Sequence, residues 1–383
     1  MQDGILGGAA AAAMAVDWDR LTALVDEALA KQRTRLGKIN IIVAGRTGVG
    51  KSTLVNAVFG TDFARTAMGR PVTTHAVWYE RDNHPLRILD TKGLETAAYE
   101  ETWAAVKTEV EKGRSDPDPT KHIHMGWVCV QEPALRFEDA EQRLVELLKS
   151  IGIPVIVVLT KHGMFPEFRE EVARLAPMAD AVIPVRSLPM PGLEGTAGLD
   201  ELVLATTHLL PDATRSAFIA AQRIDLKLKS TDARKIVWSS AALAATAAAV
   251  PLPFSDAVAI VPIQIGMITG ISLRFGIEGT SDKLVPLASS VIGCIAATAA
   301  GRIIAGQLLK LVPGGSVVTG GVAASLTTGL GEAYIAFLLA FHKREGRMPS
   351  VTEITEQFRS FWNRWRRKGG ELDENATGPV QKP

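Results

Sequence analysis

Apolar residues recur along this chain with two different periods, and the change between them divides it. From Asp17 to about Leu36, the residues Trp18, Leu21, Leu24, Val25 and Leu29 fall at three- and four-residue spacing, which predicts a helix. KINIIVAG (38–45) follows, a short β-branched run closed by Gly45. Similar runs come at intervals: LRILD (86–90), MGWVCV (125–130), IPVIVVLT (153–160) and DAVIPV (180–185). Helical patterns lie between them, for example FEDAEQRLVELLKSIG (137–152). Unbroken apolar strands alternating with helices predict the α/β class, a mostly parallel sheet covered on both faces. This block ends near Pro211.

The pattern then loses its polar positions. Between Ile236 and Phe341 the charged residues are only Asp256, Arg274, Glu278, Asp282, Lys283, Arg302, Lys310 and Glu332. The segment is rich in Ala, Gly, Val and Ile and broken by Pro251, Pro253, Pro262, Pro286 and Pro313. It predicts an all-α apolar domain. Leu284 to Gly301 is an uncharged run of eighteen residues, near the lower limit for one bilayer crossing. Two readings stay open: helices inserted in a membrane as spans or re-entrant hairpins, and a compact helical bundle that opens on activation. Glycine pairs such as Gly314–Gly315 and Gly320–Gly321 suit close helix packing in either. After His342 charge returns. SVTEITEQFRSFWNRWRRK (350–368) opens on a Ser350/Glu353 capping box and mixes Phe358, Phe361, Trp362 and Trp365 with five basic residues. Such a helix suits either an anionic lipid surface or docking on its own domain. The expected divisions are 1–37 (lead-in and helix), 38–214, 215–345, and 346–383 (basic aromatic helix and a disordered tail).

Composition adds little. The formal net charge is +1, so no nucleic-acid partner is advertised. The two cysteines, Cys129 and Cys294, are expected to be reduced and buried. The first residues are a poor secretory signal, with Asp3 and no basic residue before the apolar run.

The chemistry lies in GRTGVGKSTLVNAVFG (45–60). Gly45-Arg46-Thr47-Gly48-Val49-Gly50-Lys51-Ser52 matches the phosphate-binding P-loop pattern, with a strand before it and a helix after it. Glycines let backbone N–H groups converge on phosphate oxygens, and the helix N-terminus adds positive potential. Lys51 is expected on the β- and γ-phosphates, Ser52 on Mg²⁺, and Thr53 beside them. Asp90, ending the LRIL run, is expected to hold the Mg²⁺ shell, and Gly93 to offer its N–H to the γ-phosphate. Between these motifs a mobile threonine is needed to close over metal and phosphate, and Thr73 or Thr74 supplies it.

GRTGVGKST, the PVTT loop and DTKGLE together resemble the Era-like branch of P-loop GTPases. That resemblance implies a GTPase domain, GTP and Mg²⁺ as ligands, and a base-reading motif of the form [NT]KxD. Thr160 and Lys161 occupy its start, but Gly163 stands where the guanine-reading Asp is implied. Either another acid such as Glu167 serves, or base reading is relaxed. Ser187 in PVRSL is the candidate of the last base-contacting loop. Leu94 replaces a water-orienting Gln, so slow turnover helped by a dimer, partner or membrane is expected. AAVPLPFSDAVAIVPIQIGMITGISLRFGIEG (248–279) and LVPGGSVVTGGVAASLTTGLGEAY (311–334) resemble the YcjF-type domain of unknown function, which implies membrane association. The function expected is a bacterial, membrane-associated GTPase at the cytoplasmic face of the inner membrane, or in the cytoplasm with membrane association. Its GTPase domain is a possible homodimer contact. The alternative is a scaffold that senses nucleotide without turning it over, or an NTPase of relaxed specificity.

Overall fold

The computed structural model describes residues 18–60, 68–73, 76–91, 99–248, 255–277, 280–293 and 315–367. The expected lead-in and tail, together with Thr74, Gly93, Leu94 and Cys294, lie outside these residues. The chain divides into two compact units: Arg35–Lys229, and residues 1–34 with 230–383.

The first unit holds a seven-stranded sheet in the order β2-β3-β4-β1-β5-β6-β7. Its strands are β1 (Ile39–Ala44), β2 (Met68–Thr73), β3 (Ala76–Glu80), β4 (Leu86–Thr91), β5 (Met125–Gln131), β6 (Val155–Thr160) and β7 (Ala181–Val185). β4, β1, β5, β6 and β7 are mutually parallel, while β3 runs antiparallel to both β2 and β4. Every residue of β1 is buried, as expected for a central strand covered on both faces. Its side chains alternate between two cores. Ile39, Ile41 and Val43 face the core built with α2 (Lys51–Phe59), α6 (Leu199–Leu209) and α7 (Asp212–Ala221). Ile42 and Ala44 face the other, built with α3 (Tyr99–Ser115), α4 (Asp139–Ser150) and α5 (Phe168–Leu175). In the first core Trp127 stacks on Phe59 at 5.7 Å and meets Phe218 edge-on, and its indole N–H donates to Thr206 Oγ1 at 3.2 Å. Asn40, fully buried on β1, donates from Nδ2 to Thr120 O and His122 O and so ties the strand to the turn before β5.

The second unit is helical: α1 (Trp18–Leu36), α8 (Leu226–Ala248), α9 (Ser255–Arg274), α10 (281–293), α11 (Gly315–Glu345) and α12 (Val351–Arg367). α1 lies in this unit up to Thr34. Its apolar stripe buries Val25 and Leu29, and Gln32 Nε2 donates to Gly266 O at 3.1 Å. A Cβ on Gly320 would lie 2.9 Å from Ala245 O, so α8 and α11 meet closely there. The interior carries paired polar groups: Arg274 with Asp232 at 2.7 Å, Ser272 with Tyr334 at 2.9 Å, and Gln264 with Thr327 at 3.5 Å. α12 begins with the reciprocal Ser350/Glu353 cap, Ser350 N donating to Glu353 Oε2 at 2.8 Å and Glu353 N to Ser350 Oγ at 3.3 Å. Its aromatic face is turned inward, with Phe358 fully buried between Tyr334 and Phe337. Of the two readings of this helix, the docked one is what the structure contains. Among the described residues one stretch, Gly320–Glu345, is long and apolar enough to cross a membrane, and 56% of its most apolar window is buried.

Candidate functional site

β1 ends level with Asp90 of β4, its register partner being Val43. The chain then turns through Gly45–Gly50 and enters α2 at Lys51. Gly45 has φ +145°, and a Cβ there would lie 2.3 Å from the carbonyl oxygen of Cys129 on β5. Only glycine lets the loop cross the sheet at this point. Gly50, φ +105°, precedes the first helical residue, so that the first turn of α2 opens onto the loop. Lys51 is buried within the loop, its ammonium donating to Gly45 O at 2.8 Å and Arg46 O at 3.1 Å. Ser52 is exposed at the helix start and Thr53 is half-buried. Lys51, Ser52, Tyr79 and Asp90 line one cavity of about 120 Å³. Burial and then the Asp90 charge raise the Tyr79 hydroxyl above its ordinary pKa. One hydroxyl and one carboxylate beside a lysine make a hard oxygen donor set that suits Mg²⁺ carrying water and phosphate oxygens.

A second cavity, about 380 Å³, flanks the other side of the loop and is lined by Arg46, Thr47, Val49, Gln131 and Arg136 among others. Arg46 pairs with Glu138 at 2.5 Å, at the start of α4. Arg136 is exposed, as a solvated charge would be.

The ends of β5 and β6 hold the loop from the side. Thr160, 3% exposed, donates its hydroxyl to Val49 O at 2.5 Å. Lys161, at φ +57°, extends over the loop and donates to Gly48 O at 3.1 Å and Gln131 Oε1 at 2.9 Å. Thus Thr160 is a strut beneath the P-loop, and Lys161 is the exposed side chain across it. Ser187 lies half-buried just beyond β7. Thr73 is the last residue of β2, and nothing is described of its side chain. Lys51, Ser52 and Asp90 are therefore brought together, with Gly45 to Gly50 around them and Thr160 and Lys161 alongside.

The sequence reading missed Glu132, in the turn after β5. Its carboxylate is 1% exposed. Oε1 accepts from the N–H groups of Gly163, Met164 and Phe165, each at 2.8 Å, and Oε2 meets His162 Nδ1. Burial alone would raise this carboxyl, but the hydrogen bonds from Phe165, His162, Gly163 and Met164 hold it below its ordinary pKa. An acid directly following a strand that borders the P-loop is the one signal that pointed to it. Cys129, beneath Gly45, is a free thiol that burial pushes up to about 12. It is structural, as expected.

Residues 40–161 match a family described as 50S ribosome-binding GTPase, and residues 215–361 match a domain of unknown function, DUF697. The chain is similar to GTPase Der of Jannaschia sp. (strain CCS1), at 28% identity over 49% of this chain and 39% of that one. It is also similar to GTPase Der of Cereibacter sphaeroides (strain ATCC 17025 / ATH 2.4.3), at 29% identity over 43% of this chain and 34% of that one. It thus spans well under half the length of these relatives. Aquifex aeolicus Era, solved with GDP.AlF4-, aligns at 17% identity and a TM-score of 0.32 over 54% of this chain and 68% of that one.

Proposed function

We propose that this chain, in which a P-loop GTPase domain is joined to a DUF697 domain, binds GTP with Mg²⁺ and hydrolyses it slowly, the nucleotide state switching or assembling the helical unit at a membrane surface. The observation that carries the reading is the convergence of Lys51, Ser52 and Asp90 on one cavity where the helix after the glycine loop begins. Backbone N–H groups of that loop and the N-terminus of α2 hold the phosphates, with Lys51 neutralising the transferred one. Ser52 and Asp90 hold the metal, which draws charge from the phosphate oxygens when bound. Thr73 or Thr74 and the Gly93 loop sense the γ-phosphate and order around it.

The apolar content of the DUF697 domain and the stretch Gly320–Glu345 support membrane association, and the proposed site of action is the cytoplasmic face of a bacterial inner membrane. Leu94 in place of a water-orienting residue supports slow intrinsic turnover, accelerated by self-association of the GTPase domain or by lipid. Phosphate release from GTP, measured with and without anionic liposomes across a range of protein concentrations, tests this. Turnover should be slow in dilute solution, rise with lipid or concentration, and vanish in Lys51→Ala. Unchanged turnover in Lys51→Ala would remove the enzyme reading, and indifference to lipid would remove the membrane reading.

A further inference from the structure

The loops after β6 and β7 form the edge on which a base would lie, because Thr160 and Lys161 bind that edge directly to the phosphate loop. Guanine differs from adenine in presenting a ring N–H and an amino group side by side, two donors that call for an acceptor in the protein. The acceptors beside position 163 are engaged by the protein itself, and the next acid along, Glu167, is exposed to solvent at the start of α5. Both oxygens of Glu132 are consumed by residues 162–165. The carbonyls of His162, Glu194 and Gly195 accept from the Arg186 guanidinium at 3.1, 3.3 and 3.1 Å.

A carboxylate at position 163 is also disfavoured. Gly163 has φ +142°, and a Cβ there would lie 2.3 Å from Leu193 Cδ1 and 2.9 Å from Arg186 Nη1. That backbone conformation is one side-chain-bearing residues rarely adopt, and the ends of two flexible side chains would also have to move aside. What the two loops do offer is apolar surface, Met164 at 58% and Leu188 at 60% exposure, and the stem of Lys161. Apolar surface stacks on any purine.

We infer that this site takes purine nucleoside triphosphates with little regard to the base, adenine being accepted nearly as well as guanine, with the backbone at Gly163 disfavouring a guanine-reading carboxylate there. The inference rests on the proposed nucleotide site and adds its base selectivity. A site built to hydrogen-bond a polar group rejects an analogue lacking it by about 10⁴-fold or more. Here the contrast should be far smaller.

The test is competition by GTP, ATP and ITP against a fluorescent GTP analogue on the full chain with Mg²⁺. ITP lacks only the guanine amino group. GTP and ATP should compete within about tenfold of each other, and ITP should match GTP within about threefold. Lys51→Ala should weaken all three together by about a hundredfold or more. A GTP preference of a hundredfold over ATP, or a similar loss with ITP, overturns the inference and leaves the triphosphate site intact. Failure of every nucleotide to bind the wild-type chain overturns the proposed site itself, and the inference with it.

Discussion

Removing the Glu132 carboxylate should loosen the corner of the sheet that carries Lys161. In Glu132→Ala, three N–H groups lose a shared acceptor at 2.8 Å, and His162 loses its partner. Hydrogen bonds to a charged group contribute about 1.5–3 kcal/mol each. Three of them share one oxygen and cannot add fully, so about 3–5 kcal/mol is the expected cost, the range found when one member of a buried charged pair is deleted. With a urea slope of about 3 kcal/mol/M for a unit of this size, the midpoint should fall by roughly 1–1.7 M. Amide exchange over residues 160–168 should accelerate in the same variant. Glu132→Gln keeps an acceptor without the charge and should fall between the two. The folded pKa lies below the unfolded value, so this stability is present above the unfolded pKa of 4.5 and is lost as pH falls through the folded one. The gap between wild type and Glu132→Ala should therefore shrink below about pH 4.5. A midpoint within about 0.3 M of wild type at neutral pH, with unchanged exchange, would refute the reasoning.

Three further outcomes follow from the same geometry. Gly45→Ala places a Cβ against Cys129 O and should cost about 2–4 kcal/mol by denaturation while abolishing triphosphate binding, whereas a variant that binds GTP normally would show that the loop has room. His84, lowered to about 4 by burial and then by Arg81, Lys229 and Arg223, stays neutral when folded while the unfolded chain protonates below pH 6.5. Stability should thus fall as pH drops from about 6.5 to 4, a slope that His84→Gln should flatten in a melting-temperature series. Phe358→Ala should destabilise the helical unit by about 3–5 kcal/mol in a calorimetric melt, and a loss under about 1 kcal/mol would mean that α12 does not keep its aromatic face inward.

The strands at the centre of the sheet were readable because burial on both faces leaves an unbroken apolar run, as in VIVVLT of β6. The P-loop was readable because its glycines and lysine are adjacent in sequence. The β2–β3 pairing was not legible, since MGRPVT carries no alternation and its partner β3 is set by register with β4. Glu132 escaped because its meaning is long-range: the amides that it holds lie some thirty residues on, after an intervening helix and strand. For α1 the stripe was visible but not its partner, since Gln32 finds Gly266 across 234 positions. The same limit left α12 balanced between lipid and protein, because an aromatic face reads alike whichever surface covers it.

Cys129, sealed under Gly45 with its thiol pushed up to about 12, gives the sheet a built-in clock. A thiol reagent can reach it only when the central strands part, so in a Cys294→Ser background the rate of alkylation counts openings of the strand beneath the phosphate loop. Any molecule that binds the closed loop must slow that count in proportion to its occupancy. The protein therefore reports its own ligands through a side chain that never touches them.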